Sequence, residues 1–226
     1  MFGVKHSRGH STLEARLTQG EAVRLYDRLA KVYDAWGWLT ESRARDRALE
    51  LADIRDGEAI LEIAAGTGLA FARVARNNPG GRNVAMDIST GMLDKARRRL
   101  ARYGLTNFEI AVGSALAIDE PYAGFDLVLN CYMFDLLDER DWAGVLDEFR
   151  RVLKPGGRLV LANMTLGERW GSGIYQRLYD WSPSLMGGCR GVRLSEPLED
   201  HGFEVLSREY IQQCLFPSEV ILARKP

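Results

Sequence analysis

Residues 59–68, Ala-Ile-Leu-Glu-Ile-Ala-Ala-Gly-Thr-Gly, restrict the folds open to this chain more than any other stretch. A short apolar run carries Glu62 near its end. A loop of small residues follows (Ala64, Ala65, Gly66, Thr67, Gly68), and then an amphipathic segment runs from Leu69 to about Asn77. That order describes a strand, a tight turn and a helix start. Glycine and alanine present almost no side chain in such a turn, so a ligand can approach the backbone closely. A second apolar run, Val84-Ala85-Met86, closes on Asp87. A carboxylate at the end of a neighbouring strand can accept both hydroxyls of a ribose. Together the two features describe a nucleoside-binding site on a parallel sheet.

The rest of the chain keeps the same rhythm. Apolar residues at Leu25, Tyr26, Leu29, Ala30, Tyr33 and Trp36 fall at helical spacing, and a second helix is expected over 41–52. Strands are expected at 59–63, 83–87, 107–112, 125–130 and 157–164, with helices at 68–77, 90–103, 139–153 and 193–201. Alternation at these lengths implies a parallel sheet covered by helices on both faces. The tail departs from it: 203–211 and 216–223 read as strands joined too closely for a right-handed crossover, so they must pair antiparallel. The expected fold is therefore α/β, a Rossmann-like, seven-stranded, mostly parallel sheet ending in an antiparallel hairpin. One domain is expected over 1–226. An arm and lid helices occupy 1–53, a cofactor-binding core 54–164, and a substrate-side insertion with the strand hairpin 165–226.

Charge and cysteines narrow the chemistry. A net charge of −1 gives no global attraction to nucleic acid, and none is expected as a partner. Cys131, Cys189 and Cys214 stand far apart, which indicates neither a disulfide framework nor a metal site. No apolar run approaches the roughly 20 residues that span a bilayer. The expected location is the cytoplasm, with peripheral contact to the inner face of the membrane as the further option. A dinucleotide site is the rival reading of the loop, but it wants a third glycine two residues after a Gly-x-Gly pair. Here Gly66-x-Gly68 runs into Leu69-Ala70-Phe71.

Four blocks in order resemble the class I S-adenosylmethionine-dependent methyltransferases. They are Glu62-Ile-Ala-Ala-Gly-Thr-Gly68, Asp87-Ile-Ser-Thr-Gly-Met-Leu93, Phe125-Asp-Leu-Val-Leu-Asn130 and the stretch from Glu148 through Lys154-Pro-Gly-Gly157 to Leu161. The chain is similar, more narrowly, to the quinone C-methyltransferases of menaquinone and ubiquinone synthesis. Alanine is frequent there at the first loop position, as at Ala64, and a Tyr-Asp pair stands in an N-terminal helix, matched by Tyr33-Asp34 or Tyr26-Asp27. Phospholipid N-methyltransferases resemble the same blocks.

The resemblance implies S-adenosyl-L-methionine as cofactor, held by Glu62, Ala64, Gly66, Thr67 and Gly68, by Asp87 at the ribose, and by Tyr33 from the lid helix over 22–39. Ile88 and Met92 would wall the adenine or belong to the core. Ser114 and Ala115 would offer backbone groups to its edge, although Ser114 replaces an acid common among relatives. Asn130 would lie beside the transferable methyl. Tyr132 and Asp135 are the candidates for a polar pair facing substrate, Tyr132 equally readable as packing. Arg190 is the candidate anchor for an anionic substrate, or else a salt bridge holding the lid. The segment from Glu168 to Arg190, with Trp170, Tyr175, Tyr179 and Trp181, supplies the aromatic walls that a small lipophilic acceptor needs. A quinone precursor is the first expectation, a phospholipid amine the second, and a protein that binds the cofactor without transferring its methyl the third. The oligomeric state stays open.

Overall fold

Strands buried on both faces cannot alternate polar and apolar residues, and the central strands here do not. In β1 (Ala59–Ile63) Ile60, Leu61 and Ile63 are all buried, as are Leu127, Val128 and Leu129 of β4 (Phe125–Cys131). The computed structural model describes residues 40–167, 190–214 and 216–226. Around β1 and β4 it assembles one seven-stranded sheet in the order β3-β2-β1-β4-β5-β7-β6. The remaining strands are β2 (Arg82–Asp87), β3 (Glu109–Val112), β5 (Leu153–Met164), β6 (Glu204–Gln213) and β7 (Phe216–Arg224). β1 to β5 pair parallel, whereas β7 runs antiparallel to both β5 and β6. The expected architecture is therefore the one observed, with β7 as the single reversed strand.

Helices cover both faces. One face carries α1 (residues 40–52), α2 (Phe71–Asn77) and α3 (Thr90–Arg102); their core residues include Ala48, Phe71, Val74 and Leu100. The opposite face carries α4 (Glu139–Val152) and the short α5 (Ser195–Asp200), where Phe134, Trp142 and Phe149 meet edge to face. Asp138 caps α4 by accepting from the Arg140 amide, and Ser89 caps α3 by accepting from the Met92 amide.

Element boundaries differ from expectation where a backbone constraint intervenes. The helix expected from 68 begins at Phe71, because Gly68 takes φ +76°, which a right-handed helix excludes. The strand expected from 157 starts at Leu153, directly after α4, with a register shift opposite Phe125 and Leu127. The strand expected from 107 starts at Glu109, and the Asn107 side-chain amide before it donates to the carbonyls of Ala75 and Asn78. Residues 1–39 and 168–189, including the expected lid helix, Tyr33 and most of the aromatic insertion, lie outside the described residues.

Candidate active site

The parallel strands β1, β2 and β4 end together, and the loop after β1 lies across their carboxyl ends. Three of its five residues have left-handed backbones: Ala64 (φ +56°), Gly66 (φ +54°) and Gly68 (φ +76°). The two glycines are required for different reasons. A Cβ on Gly68 would stand 2.9 Å from the Ala96 Cβ of α3, so contact with the helix forbids a side chain. A Cβ on Gly66 would meet nothing within 4 Å, so that glycine faces open space and leaves its backbone approachable.

Asp87 ties the loop to the second strand. One carboxylate oxygen accepts from the Gly66 amide at 2.8 Å and the other from the Ser89 amide at 2.9 Å. The Ala65 amide donates to the Met86 carbonyl at 3.1 Å, which pulls the loop down onto β2. Ile88 stays 39% exposed beside Asp87, in position to cover a flat ring, whereas Met92 is buried in α3 and belongs to the core. The Ser114 hydroxyl accepts from the Leu116 amide at 3.2 Å and thereby shapes its own turn, with Ala115 packed partly against the core.

Glu62 and Asn130 close the floor. Asn130 donates to the Ile63 carbonyl at 2.8 Å, while its side-chain oxygen has no partner among the described residues. One oxygen of Glu62 is likewise buried without a partner among the described residues. Burial pushes the Glu62 carboxyl up to about 8, with Asp87 adding to the rise and Arg45 opposing it. Buried polar atoms without partners are costly. Two of them at adjoining strand ends, beside an open glycine, mark a place shaped for a polar ligand. Among the described residues no cluster of side chains has the makeup of a metal site.

Sequence reasoning missed α1's contribution. Arg45 and Glu41 lie one turn apart, 3.9 Å from each other, and both are largely buried. Arg45 is close enough to Glu62 to oppose its shift, and burial raises Glu41 to about 7, again against Arg45. The one available signal was the i, i+4 spacing of opposite charges, which more often marks a solvated helix face.

The residues expected to face substrate are placed differently. The Tyr132 hydroxyl lies 3.0 Å from Ser218 Oγ and 3.5 Å from the Glu41 carbonyl, and burial lifts the phenol well above its usual range. Tyr132 thus joins α1 to β7, which is the packing alternative. Asp135 is fully buried, with one oxygen accepting from the Met164 amide at 3.2 Å. Arg190 is 2% exposed; it donates to the Leu137 carbonyl, lies 3.5 Å from Glu139 and covers the Trp142 ring at 5.4 Å. Its guanidinium is therefore packed against α4, with Glu139 and the Trp142 ring as neighbours.

Comparison with known proteins agrees with this geometry. Residues 60–157 match the methyltransferase-domain family. The chain is 31% identical over 159 residues to the demethylmenaquinone methyltransferase of Thermus thermophilus, covering 69% of this chain and 71% of that one. It is 32% identical over 163 residues to the enzyme of the same name from Tropheryma whipplei, covering 70% of this chain but 65% of that one, just under two thirds of its length. The solved structure of the [4+2]-cyclase SpnF superposes with a TM-score of 0.76 at 19% identity, over 96% of this chain and 99% of that one, which shows the shared fold. With the glycine loop, the Asp87 bridge and the strand order in place, the chain belongs to the class I S-adenosylmethionine-dependent methyltransferase family, in the branch similar to the quinone C-methyltransferases.

Proposed function

We propose that the protein is a methyltransferase that moves the methyl of S-adenosylmethionine to a small lipophilic acceptor, a quinone precursor first. The observation that carries this is the Asp87 bridge to the Gly66 amide, set beside open space at Gly66 and the unpartnered oxygens of Glu62 and Asn130. The names of the relatives support the choice of acceptor.

When bound, the cofactor supplies a methyl on a cationic sulfur, an electrophile that needs orientation more than activation. The chain's own groups would provide that orientation. Asp87 would hold the ribose hydroxyls, Ile88 would cover the adenine, and the Gly66 backbone would allow close approach. Arg45 suits the amino-acid carboxylate, while Glu62 and the Asn130 oxygen suit its ammonium. Fixing two reactants in register is worth several kcal/mol in such a displacement. Burial raises the Tyr132 phenol well above its usual range, which disfavours it as a base near neutral pH.

The test is incubation of the pure protein with methyl-labelled S-adenosylmethionine and an extract of its host cells, followed by partition. Label in the organic phase that is lost in Asp87→Asn supports the reading. Label confined to the aqueous or protein fraction overturns the lipophilic acceptor, and no label in any fraction overturns methyl transfer.

A further inference from the structure

The run Arg97-Arg-Arg-Leu-Ala-Arg102 on α3 reads in sequence as a solvated face, and Arg97, Arg98 and Arg102 are indeed exposed. Arg99 departs from them. One of its guanidinium nitrogens donates both to the Thr67 carbonyl and, at 2.8 Å, to Thr67 Oγ1. Thr67 is 3% exposed, and the next residue, Gly68, rests on Ala96 of the same helix. The loop is therefore seated on α3 at two consecutive residues.

A loop with three left-handed residues, one of them an alanine, does not keep its shape by intrinsic preference. Its tie from Gly66 ends on Asp87, the same carboxylate that the proposed function assigns to the ribose. A ligand that engages Asp87 competes for that bond. The Arg99 contact runs from α3 to Thr67 and does not use the Asp87 carboxylate, so a ligand that engages Asp87 does not compete for it. We propose that Arg99 is a positioning residue: it clamps the β1–α2 loop from behind in its ligand-ready shape, so that binding need not order it. This rests on the cofactor part of the proposed function and is independent of the acceptor.

The experiment compares Arg99→Met, Arg99→Lys and Arg98→Met with the wild type by calorimetric titration with S-adenosylhomocysteine. Amide hydrogen exchange of residues 64–68 is followed without ligand. Arg98→Met controls for lost charge on the same helix and should bind within about twofold of the wild type, since an exposed charge is well screened. Arg99→Met should bind roughly tenfold more weakly, the scale of re-ordering a short segment on binding, with faster exchange in the loop. Arg99→Lys should recover part of both, because its ammonium can donate to the same two oxygens. Equal affinity in Arg99→Met and Arg98→Met overturns the clamp. So does weaker binding with unchanged loop exchange and no recovery by lysine. A wild type that does not bind S-adenosylhomocysteine overturns the cofactor reading, and the clamp with it.

Discussion

Glu62→Gln separates the stability of this site from its function more sharply than any other change. In the folded chain burial lifts the Glu62 carboxyl from its ordinary 4.5 to about 8. The native state therefore binds a proton that the unfolded chain has released across that window. Stability from this group is fully present below pH 4.5 and is lost as pH rises through about 8, at about 1.4 kcal/mol per pH unit. Glutamine is neutral at every pH and nearly isosteric, so it resembles the protonated wild type. Urea unfolding of both proteins from pH 5 to pH 8 should give near-equal stability at the acid end. The variant should become progressively more stable toward the alkaline end, by up to about 4 kcal/mol. Glu41 contributes a similar slope up to about 7, but it does so in both proteins and largely cancels in the difference. The variant should nonetheless bind S-adenosylmethionine more weakly, since Glu62 can give up its proton to meet the cofactor's positive charge and glutamine cannot. A stability difference that stays flat from pH 5 to pH 8 would refute the reasoning, because Glu62 would then be ionised throughout.

Other changes test neighbouring parts of the site. Gly68→Ala forces a Cβ against Ala96 at an unfavourable φ and should cost about 2 kcal/mol or more in thermal unfolding. Gly66→Ala meets open space and should cost only about 1 kcal/mol of stability, while titration shows cofactor binding reduced at least about tenfold. Arg190→Ala abandons the Leu137 carbonyl and the Trp142 face, so chemical denaturation should show a loss of about 2–4 kcal/mol, with cofactor affinity held. Tyr132→Phe should lower stability by about 1 kcal/mol through its contact with Ser218. Methyl transfer by this variant, assayed at fixed pH, should stay within severalfold, whereas a phenol acting as base would lose orders of magnitude.

Much of this protein is decided locally, and that part is legible in sequence. The strand, small-residue loop and helix at 59–77 are contiguous, and the short link before Phe216 forces β7 to reverse. Each depends on residues close in sequence, so hydrophobic period and glycine placement suffice. Asp87 was legible too, because parallel strands of similar length bring their carboxyl ends together. What only the tertiary structure decided is which charged side chains the packed sheet turns inward. Arg45 and Glu41 look like an ordinary surface pair until α1 lies over the ends of β1 and β4, and Arg99 looks like its exposed neighbours until α3 is docked against the loop. Arg190 reads in sequence as a substrate anchor or a salt bridge, and the Leu137 carbonyl just before α4 and the Trp142 indole on it take up its guanidinium. Charge patterns in sequence do not distinguish a solvated face from a buried one. The distinction arises when long-range packing removes water and each ion must find its partner.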